Sequence, residues 1–185
     1  MNLLHIALAA GAAVLLWAML SFNALVRARS KVDEAWSDVD VQLQRRHDLV
    51  PNLVEAVRGY ALHEGTLFRE VTEARAAAVS VHSCGRREVA EADLSRALTS
   101  LRTVSEQYPG LRASESFRRL QAQLTEAETE IQAARRIYNT NVQKYNSRVQ
   151  TFPGSLVAGL AAFKPRRFFD LALMPQSAPR EVMYA

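Results

Sequence analysis

Residues 3–22, LLHIALAAGAAVLLWAMLSF, constrain this chain more than any other stretch. They contain no Lys, Arg, Asp or Glu. A helix of about twenty apolar residues, rising 1.5 Å per residue, spans the roughly 30 Å hydrocarbon core of a bilayer. A cleaved signal peptide calls for a basic region ahead of the apolar one and a small-x-small cleavage site. No basic residue precedes the run, whereas Arg27, Arg29 and Lys31 follow it. The expectation is an uncleaved single-pass anchor over residues 1–24. The positive-inside rule then puts the N-terminus outside and the remaining chain in the cytoplasm.

Beyond the anchor the apolar positions alternate at three and four residues: Phe22, Leu25, Val32, Trp36, Val39, Leu43, Val50, Leu53, Val57 and Tyr60. Such a heptad seam belongs to helices packed side by side. Arg29 and Arg46 fall on seam positions. Gly65 and Thr66 offer a turn and a cap, and a second helix carries Leu67, Val71, Ala74 and Ala78. After the break HSCGRRE (82–88), a third helix carries Leu94, Ala97, Leu101, Val104 and Tyr108 and stops at Pro109-Gly110. Cys84, the one cysteine, reads as an incidental thiol. Ser114 can cap a last, long helix through Phe117, Leu120, Leu124, Ala127, Ile131, Ala134 and Tyr138 to Pro153-Gly154. The fold class is therefore all-α: an antiparallel up-down four-helix bundle with two long helices and two of about half their length. The short pair can flank only half of the long pair, which leaves a coiled-coil-like two-helix stalk nearer the membrane. The bundle is placed at residues 25–152, and a membrane-proximal segment and tail at 153–185.

Within the last helix YNTNVQK (138–144) is repeated at once as YNSRVQT (145–151), and Phe22-Asn23 with Val26 echoes the pattern. Asparagine at a helix interface can fix register by hydrogen bonding across it. After the repeat, FPGSLVAGLAAFKPRRFFDL (152–171) turns from apolar to basic and aromatic. The net charge of +4 is concentrated outside the bundle, since residues 32–163 hold 16 basic and 17 acidic residues. Arg27, Arg29, Lys31, Lys164, Arg166 and Arg167, with Phe168 and Phe169, make an expected membrane-surface set facing an anionic leaflet. The rival reading is a cap folded back on the stalk. A nucleic-acid binder would carry its charge as a face of the bundle, so nucleic acid is not an expected partner. The last stretch, MPQSAPREVMYA, has no periodicity and reads as a loose tail.

The stretch RRHDLVP (45–51) looks most like a site. The seam runs in phase through Pro51, so the helix continues past it. Pro51 cannot donate to the carbonyl of His47, and that oxygen needs another partner if buried. Arg46, on the seam, needs a carboxylate. An antiparallel register in which paired residue numbers sum to about 172 puts it near Glu126 or Glu128. Arg46, Glu126, Glu128 and Pro51 are thus expected to form a structural clamp, in which His47 and His63 have no part. Against it stands a hydrolase using His47, Asp48 and His63. Adjacent residues diverge by about 100° on a helix, which weakens a His47-Asp48 dyad. His63-Glu64 lacks the second histidine of a zincin, no Glu-x-x-His pair suggests a di-metal bundle, and no glycine-rich phosphate loop occurs. The expected protein is non-enzymatic and holds no metal or cofactor.

The long stretches FNALVRARSKVDEAWSDVDVQLQRRHDLVPNLVEAVRGYALHE and YPGLRASESFRRLQAQLTEAETEIQAARRIYNTNVQKYNSRVQTFP, with VTEAR and the FF after the basic turn, resemble the LemA family over nearly the full chain. The GT of HEGTL replaces a more polar pair. The resemblance implies a bacterial, membrane-anchored long-helix bundle and brings no catalytic motif. Two readings of function follow: an interaction or scaffold module at the cytoplasmic face of the inner membrane, with an unidentified protein partner, or a lipid-binding, membrane-organising protein that acts as a homo-oligomer.

Overall fold

The computed structural model describes residues 2–61, 63–81 and 84–170. They form six helices: α1 (Asn2–Arg58), α2 (Gly65–Ser80), α3 (Cys84–Ser105), α4 (Pro109–Ala113), α5 (Glu115–Gln150) and α6 (Gly154–Leu160). The all-α class and the two long helices stand. The tail reading at 174–185 and the role given to the Cys84 side chain lie outside what is described.

The apolar run and the first rod are one helix of 57 residues, α1, which passes through Pro51 without a break. An eighteen-residue window near its N-terminus has a mean hydropathy of 2.2 and none of it is buried. α5 is 36 residues long, against 16 for α2 and 22 for α3. Two turn details differ from expectation. α2 starts at Gly65, and Glu64 precedes it without a side-chain cap, so Thr66 lies inside the helix. Pro109-Gly110 opens the short helix α4, because proline's missing N–H costs nothing in a first turn.

The chain forms two compact units that interleave in sequence, residues 1–39 with 134–168 and residues 40–133 with 169–185. In the first unit α1 buries Leu25, Ala28, Val32, Ala35 and Val39, and α5 buries Ala134, Tyr138, Val142, Tyr145 and Val149. The Trp36 and Tyr138 rings lie 5.2 Å apart, Asn141 Nδ2 donates to the Lys31 carbonyl at 3.2 Å and Arg148 reaches the Ala24 carbonyl at 3.2 Å. These contacts keep the antiparallel register read from the sequence. The seam itself is corrected: Arg29 is exposed beside Asp33, and Phe22 and Tyr60 are also exposed. Ala28 and Ala35 take the inward positions, where a small side chain lets two helices approach.

In the second unit the later part of α1 packs with α2, α3, α4 and the start of α5. The core comprises Val50, Leu53, Val54, Val57, Leu67, Phe68, Val71, Leu94, Leu98, Leu101, Leu111 and Phe117. α1, α2 and α3 each contribute a stripe at three- and four-residue spacing, as amphipathic bundle helices must, and α4 adds Leu111. Within this apolar core Arg46, His47 and Glu91 are buried together, and Arg87 and Ser105 are the other buried polar residues among those described.

Candidate functional site

Arg46 and His47 are adjacent on α1, and both are fully buried. Consecutive helical side chains diverge, so burying both requires neighbouring helices on two sides. α3 supplies Glu91, itself 0% exposed, and its carboxylate accepts from both side chains. One oxygen pairs with the Arg46 guanidinium and the other with His47 Nε2 at 2.8 Å. Ser95, one turn along α3, accepts from Arg46 Nη1 at 3.0 Å. A carboxylate has only lone pairs, so His47 carries a proton on Nε2. Burial alone would push the Glu91 carboxyl up; the His47 hydrogen bond and the Arg46 and His47 charges outweigh it, and the group is held below the usual carboxylate range.

The carbonyl orphaned by proline is also filled. Arg75 on α2 donates its Nε–H to the His47 carbonyl oxygen at 2.7 Å. Three helices therefore meet at RRHDLVP through charged hydrogen bonds: α1 by Arg46, His47 and the freed carbonyl, α2 by Arg75, and α3 by Glu91.

This geometry corrects the expected clamp. Arg46 does not pair with Glu126 or Glu128. Glu126 is exposed and bonds Arg45 at 3.1 Å, while Glu128 lines a surface groove with Leu98, Arg102 and Phe117. The α1–α5 register holds, but Arg46 faces α3, where Glu91 lies three, seven and ten residues before Leu94, Leu98 and Leu101, a carboxylate in phase with that helix's apolar stripe and the signal that marks it as buried. His47, which was given no part, is a full member. The hydrolase set is not assembled either. His47 is buried, Asp48 is exposed and held by Gln44 at 2.9 Å, and His63 sits exposed in a turn.

The basic return segment has a geometry of its own. Both tyrosines of the repeat hold its backbone: Tyr138 donates to the Arg167 carbonyl at 2.9 Å and Tyr145 to the Lys164 carbonyl at 3.0 Å. Asn146 makes a two-way clamp, donating to the Arg166 carbonyl and accepting its N–H, each at 2.8 Å. Arg166 reaches Asp33 at 2.9 Å. The repeat thus grips the returning chain through Tyr138, Tyr145 and Asn146, while its Asn141 bonds across the helix interface to α1. Burial pushes the Tyr145 phenol up. Of the expected membrane-surface residues, Arg27, Arg29, Lys31, Lys164, Arg167 and Phe168 are exposed, and Arg166 is half-buried. Phe169 is fully buried and leaves the set.

Residues 35–183 match the LemA family, which covers the charged cluster, the repeat and the return segment together. The chain belongs to the LemA family. Among curated relatives, this LemA-family chain is 23% identical over 178 residues to magnetosome protein MamQ 2 of Paramagnetospirillum magneticum, covering 82% of the chain and 65% of the relative. It is 22% identical to magnetosome protein MamQ of Magnetospirillum gryphiswaldense, with the same coverage. Protein LemA of Metamycoplasma hominis is 25% identical over 140 residues, covering 74% of the chain and 63% of the relative. The chain thus spans somewhat under two thirds of the length of these relatives.

Proposed function

We propose that this LemA-family protein is a membrane-anchored, non-enzymatic helical module that presents its bundle to a protein partner at the cytoplasmic face of the bacterial inner membrane. One observation carries the reading. The most site-like cluster in the chain is closed on itself: the Glu91 carboxylate is taken by Arg46 and His47, and all three are 0% exposed. A general acid or base must reach the atom it serves. The run at 3–22 supplies the anchor, being apolar, helical and unburied.

The test joins localisation to residue chemistry. The full chain resists extraction from membranes by alkaline carbonate, and a chain lacking residues 1–24 is released. Asp48→Asn and His63→Ala leave both the bundle's melting temperature and the cellular phenotype of a deletion strain's complementation unchanged. Loss of complementation by a stably folded variant of either residue would revive the hydrolase.

A second reading, a lipid-binding and membrane-organising oligomer, is favoured by the exposed Lys164, Arg167 and Phe168 on the return segment. Crosslinking in native membranes separates a heterologous partner from a second copy of this chain.

A further inference from the structure

The first unit carries a feature that neither the seam nor the return segment accounts for. A cleft of about 460 Å³ between α1 and α5 is lined by Ala24, Arg27, Ala28, Lys31, Asn141, Lys144 and Arg148. Four of the seven are cations and none is an acid. Arg27 and Lys31 are one turn apart on α1; Lys144 and Arg148 are one turn apart on α5. Each pair shares a face of its helix, and like charges at this spacing repel. The floor is two alanines, so the space between the pairs is open.

Backbone contacts hold the walls. Arg148 donates to the Ala24 carbonyl at 3.2 Å, and Asn141 to that of Lys31 at 3.2 Å, which closes the two ends of the cleft. The remaining cations, Arg27, Lys31 and Lys144, make no ion pair among the described residues, although elsewhere in the same unit Arg29 and Arg166 both find Asp33. An arrangement of two facing cation pairs, without a carboxylate, fits a phosphate-bearing anion.

The position along α1 selects the source of that phosphate. The apolar run ends at Phe22. Arg27 is five residues on, about 7.5 Å at the helical rise. The polar headgroup layer adds roughly 5–8 Å on each side of the hydrocarbon core. Ala24, Arg27 and the tip of Arg148 therefore stand at headgroup depth when residues 3–22 span the bilayer. We propose that this cleft is a headgroup site for an anionic phospholipid, in which Arg27 and Arg148 meet the phosphate nearest the acyl chains, while Lys31, rooted about 13.5 Å beyond Phe22, and Lys144 reach its outer charge through their long stems. The proposal rests on the reading of residues 3–22 as a membrane span.

The full chain is reconstituted in nanodiscs of phosphatidylcholine containing one tenth phosphatidylglycerol or cardiolipin, and the lipid retained on mild detergent release is measured by native mass spectrometry. The wild type retains the anionic lipid in excess over its share. Lys31→Gln with Lys144→Gln lowers that excess about tenfold or more, from the weight of each cation at an anionic surface. Lys164→Gln with Arg167→Gln, which removes the same charge from the return segment, lowers it by under about threefold. Equal losses from the two pairs would show diffuse surface attraction and overturn the site. So would no excess in the wild type, or displacement of the lipid by millimolar inorganic phosphate, which would make it a soluble-anion site. Carbonate extraction of the same variants reads the anchor separately, so failure of the span and failure of the site are distinct results.

Discussion

Arg46 and Arg45 are neighbours with opposite fates, and a single step around the helix sets the difference. Arg46 is sealed against Glu91 and Ser95, whereas Arg45 meets Glu126 in solvent, the two side chains 44% and 58% exposed. Removing one partner of a buried pair strands the other charge, so Arg46→Ala costs about 3–5 kcal/mol. Arg45→Ala costs under about 1 kcal/mol. His47→Ala deletes a buried hydrogen bond to a carboxylate, costing about 1.5–3 kcal/mol. Thermal melts of the three variants check the order Arg46, His47, Arg45. Acid titration checks Glu91. Its carboxyl is held lower folded than unfolded, so its contribution is fully present above the unfolded carboxylate range and is lost as pH falls through the depressed folded value. The wild type therefore loses stability below about pH 4.3. Glu91→Gln is less stable at neutral pH and shows a shallower acid limb; an unchanged limb would mean Glu91 is not the titrating group.

At the scale of elements, the chain solves backbone problems with groups from other helices. Pro51 leaves the His47 carbonyl without its helical donor, and Arg75 of α2 fills it. Pro51→Ala restores the helical N–H, so Arg75→Ala costs less in the Pro51→Ala background than in the wild type. A double-mutant cycle reads this coupling at about 0.5–3 kcal/mol, and additivity would mean Arg75 acts through its charge alone. The end of α6 is the reverse case. Phe163 N–H bonds the Ala158 carbonyl at 2.9 Å while Ala162 sits at φ 55, a left-handed closing residue that is usually glycine. Ala162→Gly relieves that strain, with stability rising by roughly 1 kcal/mol, as measured by urea denaturation. At the other end of α6, Gly154 is required: a Cβ there would lie 2.6 Å from the Arg148 carbonyl.

For the whole molecule, α1 joins an apolar, unburied start to a core-forming end in one 57-residue helix. The basic residues follow the apolar run rather than precede it. A reporter fused after Ala185 is accordingly active when it requires the cytoplasm and silent when it requires export. Activity of an export-dependent reporter would reverse the orientation and move the bundle outside. The headgroup cleft would then face the outer leaflet.

Helix content, the long and short helices, the membrane-length run and the α1–α5 register were all legible in the sequence, because each rests on a period or a count. A stripe at three and four residues declares a helix and its buried face, and twenty apolar residues declare a length. The need created at RRHDLVP was legible too, since an orphaned carbonyl and a charge on an apolar seam both demand partners. Which groups answer that need was decided by tertiary structure. Glu91 is in phase with its own helix's stripe, but that it meets Arg46 and His47, and that Arg75 and Ser95 join it, depends on which helices pack side by side and at what height, which no period within one helix encodes. Likewise the basic residues near the membrane were visible as a charge excess. Only the pairing of α1 with α5 brought Arg27 and Lys31 opposite Lys144 and Arg148, more than a hundred residues away.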